Sequence, residues 1–95
     1  DFTFYPPYPN PSIGQSVNFE FQVISEQTID FQIVDILGQN IWRFSNHYSK
    51  PEVIIATWDG KNQSGQRVAN GVYFGILKGN SEQKVFKITY LKKSN

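Results

Sequence analysis

The chain has 95 residues, 39% of them hydrophobic and 16% aromatic, and nine basic against eight acidic side chains leave a net charge of +1. That length supports one domain with a modest core, since a chain of this size buries roughly 60–65% of its extended surface on folding. The balanced charge excludes the one-sided basic field that nucleic acid demands, the lack of cysteine excludes disulfides and thiolate chemistry, and no apolar run approaches the roughly 18 residues of a membrane helix.

Asp1 opens the chain with no signal-peptide pattern, and methionine is absent throughout, which predicts a segment cut from a larger protein. Residues 2–5 read as a short first strand. Pro6-Pro7-Tyr8-Pro9-Asn10-Pro11 then places four prolines in six residues, which forbids helix and removes ladder donors. A segment this short between strands reads as a corner rather than as a polyproline ligand.

Val17, Phe19, Phe21 and Val23 alternate with polar residues and predict a strand with one buried face. Gln27-Thr28 separates it from a second alternating run through Ile29, Phe31 and Ile33. A turn at Leu37-Gly38-Gln39-Asn40 leads into a hairpin arm over residues 41–44. Residues 45–52 are polar and contain Pro51, so they read as a loop. The next strand, residues 53–58, has apolar side chains on both faces, which predicts a strand covered on both sides or one whose outer face meets another element.

From Trp58 to Tyr73 the chain packs Asp-Gly, Ser-Gly and Asn-Gly steps ahead of an aromatic strand, a tightly scripted loop. Trp58, Asp59, Gly60 and Gly65 are its structural residues. Strands follow at 72–77 and 85–91, with a turn around Gly79-Asn80 between them. With no helical stripe anywhere, these short strands predict an all-β fold: an immunoglobulin-like antiparallel sandwich of about seven strands, one domain over 1–95.

The possible sites weigh little. His47 is the one histidine and falls in the polar loop, where nothing places a nucleophile and an orienting carboxylate beside it. The carboxylates are scattered, with Glu20 and Asp30 at outward strand positions. Asp59, Asn62 and Ser64 offer oxygens for calcium, but the spacing puts Lys61 at a ligand position, and Asp59 suits a bond to backbone amides of its own turn. Trp42, Trp58, Tyr73, Phe74 and Tyr90 read as core rather than as a carbohydrate platform, and Tyr73 fits a tyrosine corner. Lys84, Lys87, Lys92 and Lys93 either guard an edge strand against pairing or give a partner an electrostatic grip, and both readings stay open. No catalytic residue, metal or cofactor is expected.

Four landmarks stand in fixed order: Tyr8-Pro9-Asn10-Pro11, Asp35-Ile36-Leu37-Gly38-Gln39-Asn40-Ile41, Trp58-Asp59-Gly60 through Asn70-Gly71-Val72-Tyr73-Phe74, and Lys84-Val85-Phe86-Lys87-Ile88 through Lys92. This pattern resembles the type A C-terminal sorting domain of type IX secretion substrates. It is also similar to the immunoglobulin-like domain of the flagellar hook-capping protein, which shares the Trp-Asp-Gly to Gly-Val-Tyr block. The Tyr-Pro-Asn-Pro opening and the basic terminal strand favour the sorting domain.

The resemblance implies a non-catalytic C-terminal module of a larger secreted protein, covalently linked to an upstream cargo domain. The cargo would pass through the periplasm and the outer-membrane secretion machinery. A sortase-like peptidase at the surface would then cleave the domain off, leaving the cargo secreted or attached to surface lipopolysaccharide. Carried over by position, the recognition residues are Gly38, Ile41, Gly71, Val72, Tyr73, Phe74, Lys84, Lys87 and Lys92. An exposed terminal hairpin would add to a partner's sheet, and open edge strands would also allow weak self-association. The alternatives are a spacer or carbohydrate-binding module of a secreted glycoside hydrolase, or a hook-capping-type assembly domain.

Overall fold

The structure, a computed structural model, describes residues 2–93. Eight strands follow one another: β1 (Phe2–Phe4), β2 (Ser12–Ile13), β3 (Val17–Val23), β4 (Gln27–Val34), β5 (Asn40–Tyr48), β6 (Glu52–Trp58), β7 (Gly71–Lys78) and β8 (Gln83–Leu91). They form a three-stranded sheet in the order β1-β3-β6 and a five-stranded sheet in the order β2-β8-β7-β4-β5. This is the expected all-β sandwich. Its ladders are antiparallel except that of β2, which pairs in parallel with the end of β8 through Ser12↔Tyr90 and Ile13↔Leu91.

The core follows from period-two alternation. Val17, Phe19, Phe21 and Val23 of β3 are fully buried, and Ile29, Phe31 and Ile33 of β4 are fully buried on the other sheet. Phe19 and Phe31 meet with ring centroids 4.7 Å apart. Each such side chain contributes about 1.5–3 kcal/mol by leaving water. Gly75 of β7 makes room for this layer, since a Cβ there would lie 2.9 Å from Phe19 Cε1.

Several boundaries differ from the sequence reading. Gln27 and Thr28 do not separate two strands but open β4, and Gln27 is buried at its first position. Residues 45–48 are not loop. They continue β5 along β4 to Tyr48↔Gln27, because β5 is an edge strand with one face in water and tolerates Ser45, Asn46 and His47 there. Tyr48, buried against Phe21, pins its end.

The cover predicted for both faces of residues 53–58 is also corrected. Ala56 and Trp58 are buried, but Val53 and Ile55 are 56% and 55% exposed, because they point to the outer face of the smaller sheet, away from the second sheet. Apolar β-branched residues suit a strand whether or not its outer face is covered, so composition alone misled.

Candidate functional site

Two regions hold the residues singled out by sequence, and they are built in opposite ways. The first is the 59–70 loop. Trp58, buried at the end of β6, donates its indole N–H to Lys61 O at 2.8 Å. Asp59 Oδ1 accepts the Lys61 amide at 3.1 Å, so this carboxylate bonds its own turn. Gly60 has a φ of 80°, and its missing side chain leaves space for the Tyr90 phenol, with which any Cβ would collide. Asn62 Oδ1 accepts the amides of Ser64 and Gln66, both at 3.0 Å, and Gly65 N donates to Asn62 O at 2.9 Å.

The loop is tied to its surroundings from three sides. Gln63 N donates to Ile41 O at 2.9 Å, and Gln63 Oε1 accepts the Arg43 amide at 3.0 Å, so β5 holds one flank. Tyr73 OH donates to Ala69 O at 2.7 Å, a phenol reaching back to earlier backbone in the manner of a tyrosine corner. Burial pushes that phenol above its ordinary pKa, and the Asp35 and Tyr90 side chains add to the rise. Asn70 Oδ1 accepts the Lys92 amide at 2.7 Å, joining the loop to the end of β8. Behind it, Trp58 meets Tyr73 edge-on and Tyr90 at a tilt, with centroids 5.5 and 5.3 Å apart.

Gly38, Ile41, Gly71 to Tyr73 and Lys92 therefore gather at this end of the sandwich. Gly38 sits at φ 79° in a turn where Asp35 Oδ1 accepts the amides of Leu37 and Gln39, each at 2.9 Å. Ile41 packs against the core, and Phe74 faces outward on β7, half-buried.

The second region is the free edge of β8. β2 covers only Tyr90 and Leu91. Ahead of it, the Asn10 side chain acts as a short substitute strand: Nδ2 donates to Lys87 O at 3.0 Å, and Oδ1 accepts the Thr89 amide at 3.1 Å. Along an antiparallel strand, alternate residues turn both backbone groups to the same side. Val85 N–H and C=O and Lys87 N–H therefore point to that side, and among the described residues nothing pairs with them. Val85 is 50% exposed.

Lys84 and Lys87 lie on this stretch, apart from the other candidates. Lys84 is six residues from Tyr90, ~20 Å along the strand. The odd spacing sends the two lysines to opposite faces of the sheet. Lys84 Nζ lies 3.8 Å from Glu82 Oε2, and Lys87 pairs across to Phe74. The terminal hairpin is thus only half exposed, because β7 lies between β8 and β4.

Two further expectations meet the geometry. Trp58, Tyr73 and Tyr90 are buried, as the core reading held, and Trp42 leans on Phe31 and Phe44, so these aromatics form no outward row. His47 needs correction. On β5 it has partners on both sides: Nδ1 lies 3.1 Å from Thr28 Oγ1, and Nε2 lies 3.0 Å from Glu26 Oε2. The cross-strand pair Thr28↔His47 creates this chain, which linear distance concealed. The side chains of His47 and Glu26 are 55% and 66% exposed, so water competes for every bond in it.

Sequence reasoning missed Asn10, Gln63 and Arg67. Asn10 stood inside a noted motif but read as a bend. Arg67 carried no signal, since its partner Tyr90 is 23 residues away.

The sequence model of the family described as "Secretion system C-terminal sorting domain" matches residues 7–90. No curated protein is similar in sequence. Among solved structures, dimeric latent PorU from Porphyromonas gingivalis shares the fold at TM-score 0.65 and 17% identity, over 99% of this chain and 9% of that one. Pseudomonas fluorescens alkylpurine DNA glycosylase AlkC, bound there to DNA containing an abasic site analog, matches at TM-score 0.57 and 13% identity, over 95% of this chain and 30% of that one. The chain thus spans a small part of either protein.

Proposed function

This chain belongs to the secretion system C-terminal sorting domain family, and on that premise we propose that it presents the open edge of β8 to the export machinery as its signal. The family is a type IX secretion signal without catalytic activity, and it marks proteins exported through the outer membrane to the cell surface or released. In our reading, residues 1–95 form the C-terminal module of a larger protein whose upstream domain is the cargo. A sorting peptidase at the surface then separates the two.

The observation that carries this reading is the stretch from Gln83 to Lys87. Among the described residues its backbone groups on one side lack a ladder, whereas Asn10 and β2 close the same edge from Lys87 onward. A partner strand laid there gains main-chain hydrogen bonds in register, with Lys84 and Lys87 gripping it from the two faces. Gly38, Ile41, Gly71 to Tyr73 and Lys92 serve in this reading to hold the far end of β8 in place.

The test is a reporter fused upstream of the chain in a bacterium with a type IX system. Val85→Pro removes an amide that faces away from β7, a position where an edge strand tolerates proline. The expected result is a folded domain and a reporter held in the periplasm. Surface display at the parental level, with the variant folded, would refute the β8 handle.

A further inference from the structure

At the end of the sandwich where β2, β8 and the 59–70 loop meet, Gly14, Arg67, Lys92 and Lys93 line a cavity of about 330 Å³. Three of the four lining residues are cations. Two other cations of the chain have acidic neighbours: Arg43 grips Asp30 at 2.7 Å, and Lys84 lies near Glu82. Among the described residues, Arg67, Lys92 and Lys93 have no ion pair. Asp59 reaches Arg67 through its backbone carbonyl, and its Oδ1 accepts from the Lys61 amide.

The cations are placed by the fold. Arg67 Nη1 donates to Tyr90 OH at 2.6 Å and to Asp59 O at 3.4 Å, and the ring of Tyr90 is fully buried. One nitrogen of the guanidinium is thereby committed, leaving Nη2 and Nε for a second partner. The backbone of Lys92 is fixed by its bond to Asn70, and Gly14 N donates to Leu91 O at 2.7 Å. Gly14 adopts φ 68°, and a Cβ there would lie 2.5 Å from Lys93 Cβ, so the two segments touch. Like charges held together without a counter-charge are destabilising, which calls for an anion to offset them.

The number of charges selects the anion. A carboxylate brings one charge and two oxygens, enough for the arginine fork alone. A phosphate monoester brings about −1.5 to −2 and three acceptor oxygens, which engage the fork and both ammonium groups together. The cavity lies at the small end of the ~300–1,000 Å³ range of ligand sites, with room for the phosphate and a small group bearing it. We propose that Arg67, Lys92 and Lys93 bind the phosphate group of a phosphorylated ligand. This goes beyond the sorting reading and gives Lys92 a chemical partner of its own.

The test is an amide and arginine-side-chain NMR titration of the chain with inorganic phosphate and with glucose 6-phosphate, against sodium chloride at matched ionic strength. Saturable shifts confined to Gly14, Arg67 and residues 91–93 are expected from the phosphates and not from chloride. Lys92→Gln/Lys93→Gln should weaken binding about tenfold or more, and Arg67→Lys, which keeps the charge and loses the fork, about tenfold. Should Arg67→Lys fail to fold, the lysine pair decides, since both side chains are exposed. Vesicles of phosphatidylcholine with and without phosphatidic acid form the second arm. The same residues responding to phosphatidic acid vesicles but not to soluble phosphates would place the phosphate on a lipid. Val85→Pro should leave the titration unchanged, so failure of export and failure of phosphate binding can be told apart. Equal shifts from chloride, or saturable binding that survives the lysine pair substitution, would overturn the proposal.

Discussion

The 59–70 loop and the edge of β8 are only a few residues apart in space at Tyr90, yet their backbones have opposite fates. In the loop, Asp59 and Asn62 spread their oxygens over neighbouring amides, and Gln63, Tyr73 and Asn70 bind the loop to β5 and β8. On β8, Val85 keeps its groups turned outward, with no ladder beside it among the described residues. A segment whose backbone hydrogen bonds close within the domain fixes a fold and has little main chain to offer a partner strand. A segment with an open row is what another strand can read. The residues by which a family is recognised and those by which it acts need not coincide.

Breaking the closed region should cost the most. Gly60→Ala adds a Cβ against the Tyr90 phenol at a φ of 80°, combining overpacking with a left-handed backbone. A loss of about 2–5 kcal/mol in urea unfolding is expected. Asn10→Ala comes next, removing two bonds to β8 and about 1–3 kcal/mol. It should also lengthen the open edge, so that self-association rises with concentration in sedimentation velocity.

Tyr73→Phe is milder, about 1 kcal/mol at neutral pH from the lost bond to Ala69. It also has a signature in pH. Burial raises the Tyr73 phenol, so the folded chain keeps a proton that the unfolded chain releases. That contribution is complete below about pH 10 and disappears as pH climbs through the folded value. The parent should therefore lose stability on the alkaline side more steeply than Tyr73→Phe. Smallest of all, Val85→Pro should move stability by no more than about 0.5–1 kcal/mol while abolishing export.

Much of the frame was legible in the sequence. The strict alternation of Val17, Phe19, Phe21 and Val23 predicted β3, and the glycines at 38, 60 and 65 all take the positive φ their turns require. Polar strand was harder. Ser45 to His47 looked like loop because an edge strand with a wet face carries no alternation strong enough to see. β2 has two residues and depends wholly on its register with β8. The basic cavity was out of reach, since Gly14, Arg67 and Lys92 converge only after both sheets close. The Thr28–His47–Glu26 chain was hidden for the same reason, being a product of the β4–β5 register.

Amide hydrogen exchange on the folded chain tests the contrast most directly. The account predicts slow exchange for Gln66 and Val68 in the loop and for Phe86 and Ile88, which face β7, with Val85 and Lys87 exchanging close to the rate of free peptide. Val85 and Lys87 protected as strongly as Phe86 and Ile88 would contradict an open β8 edge.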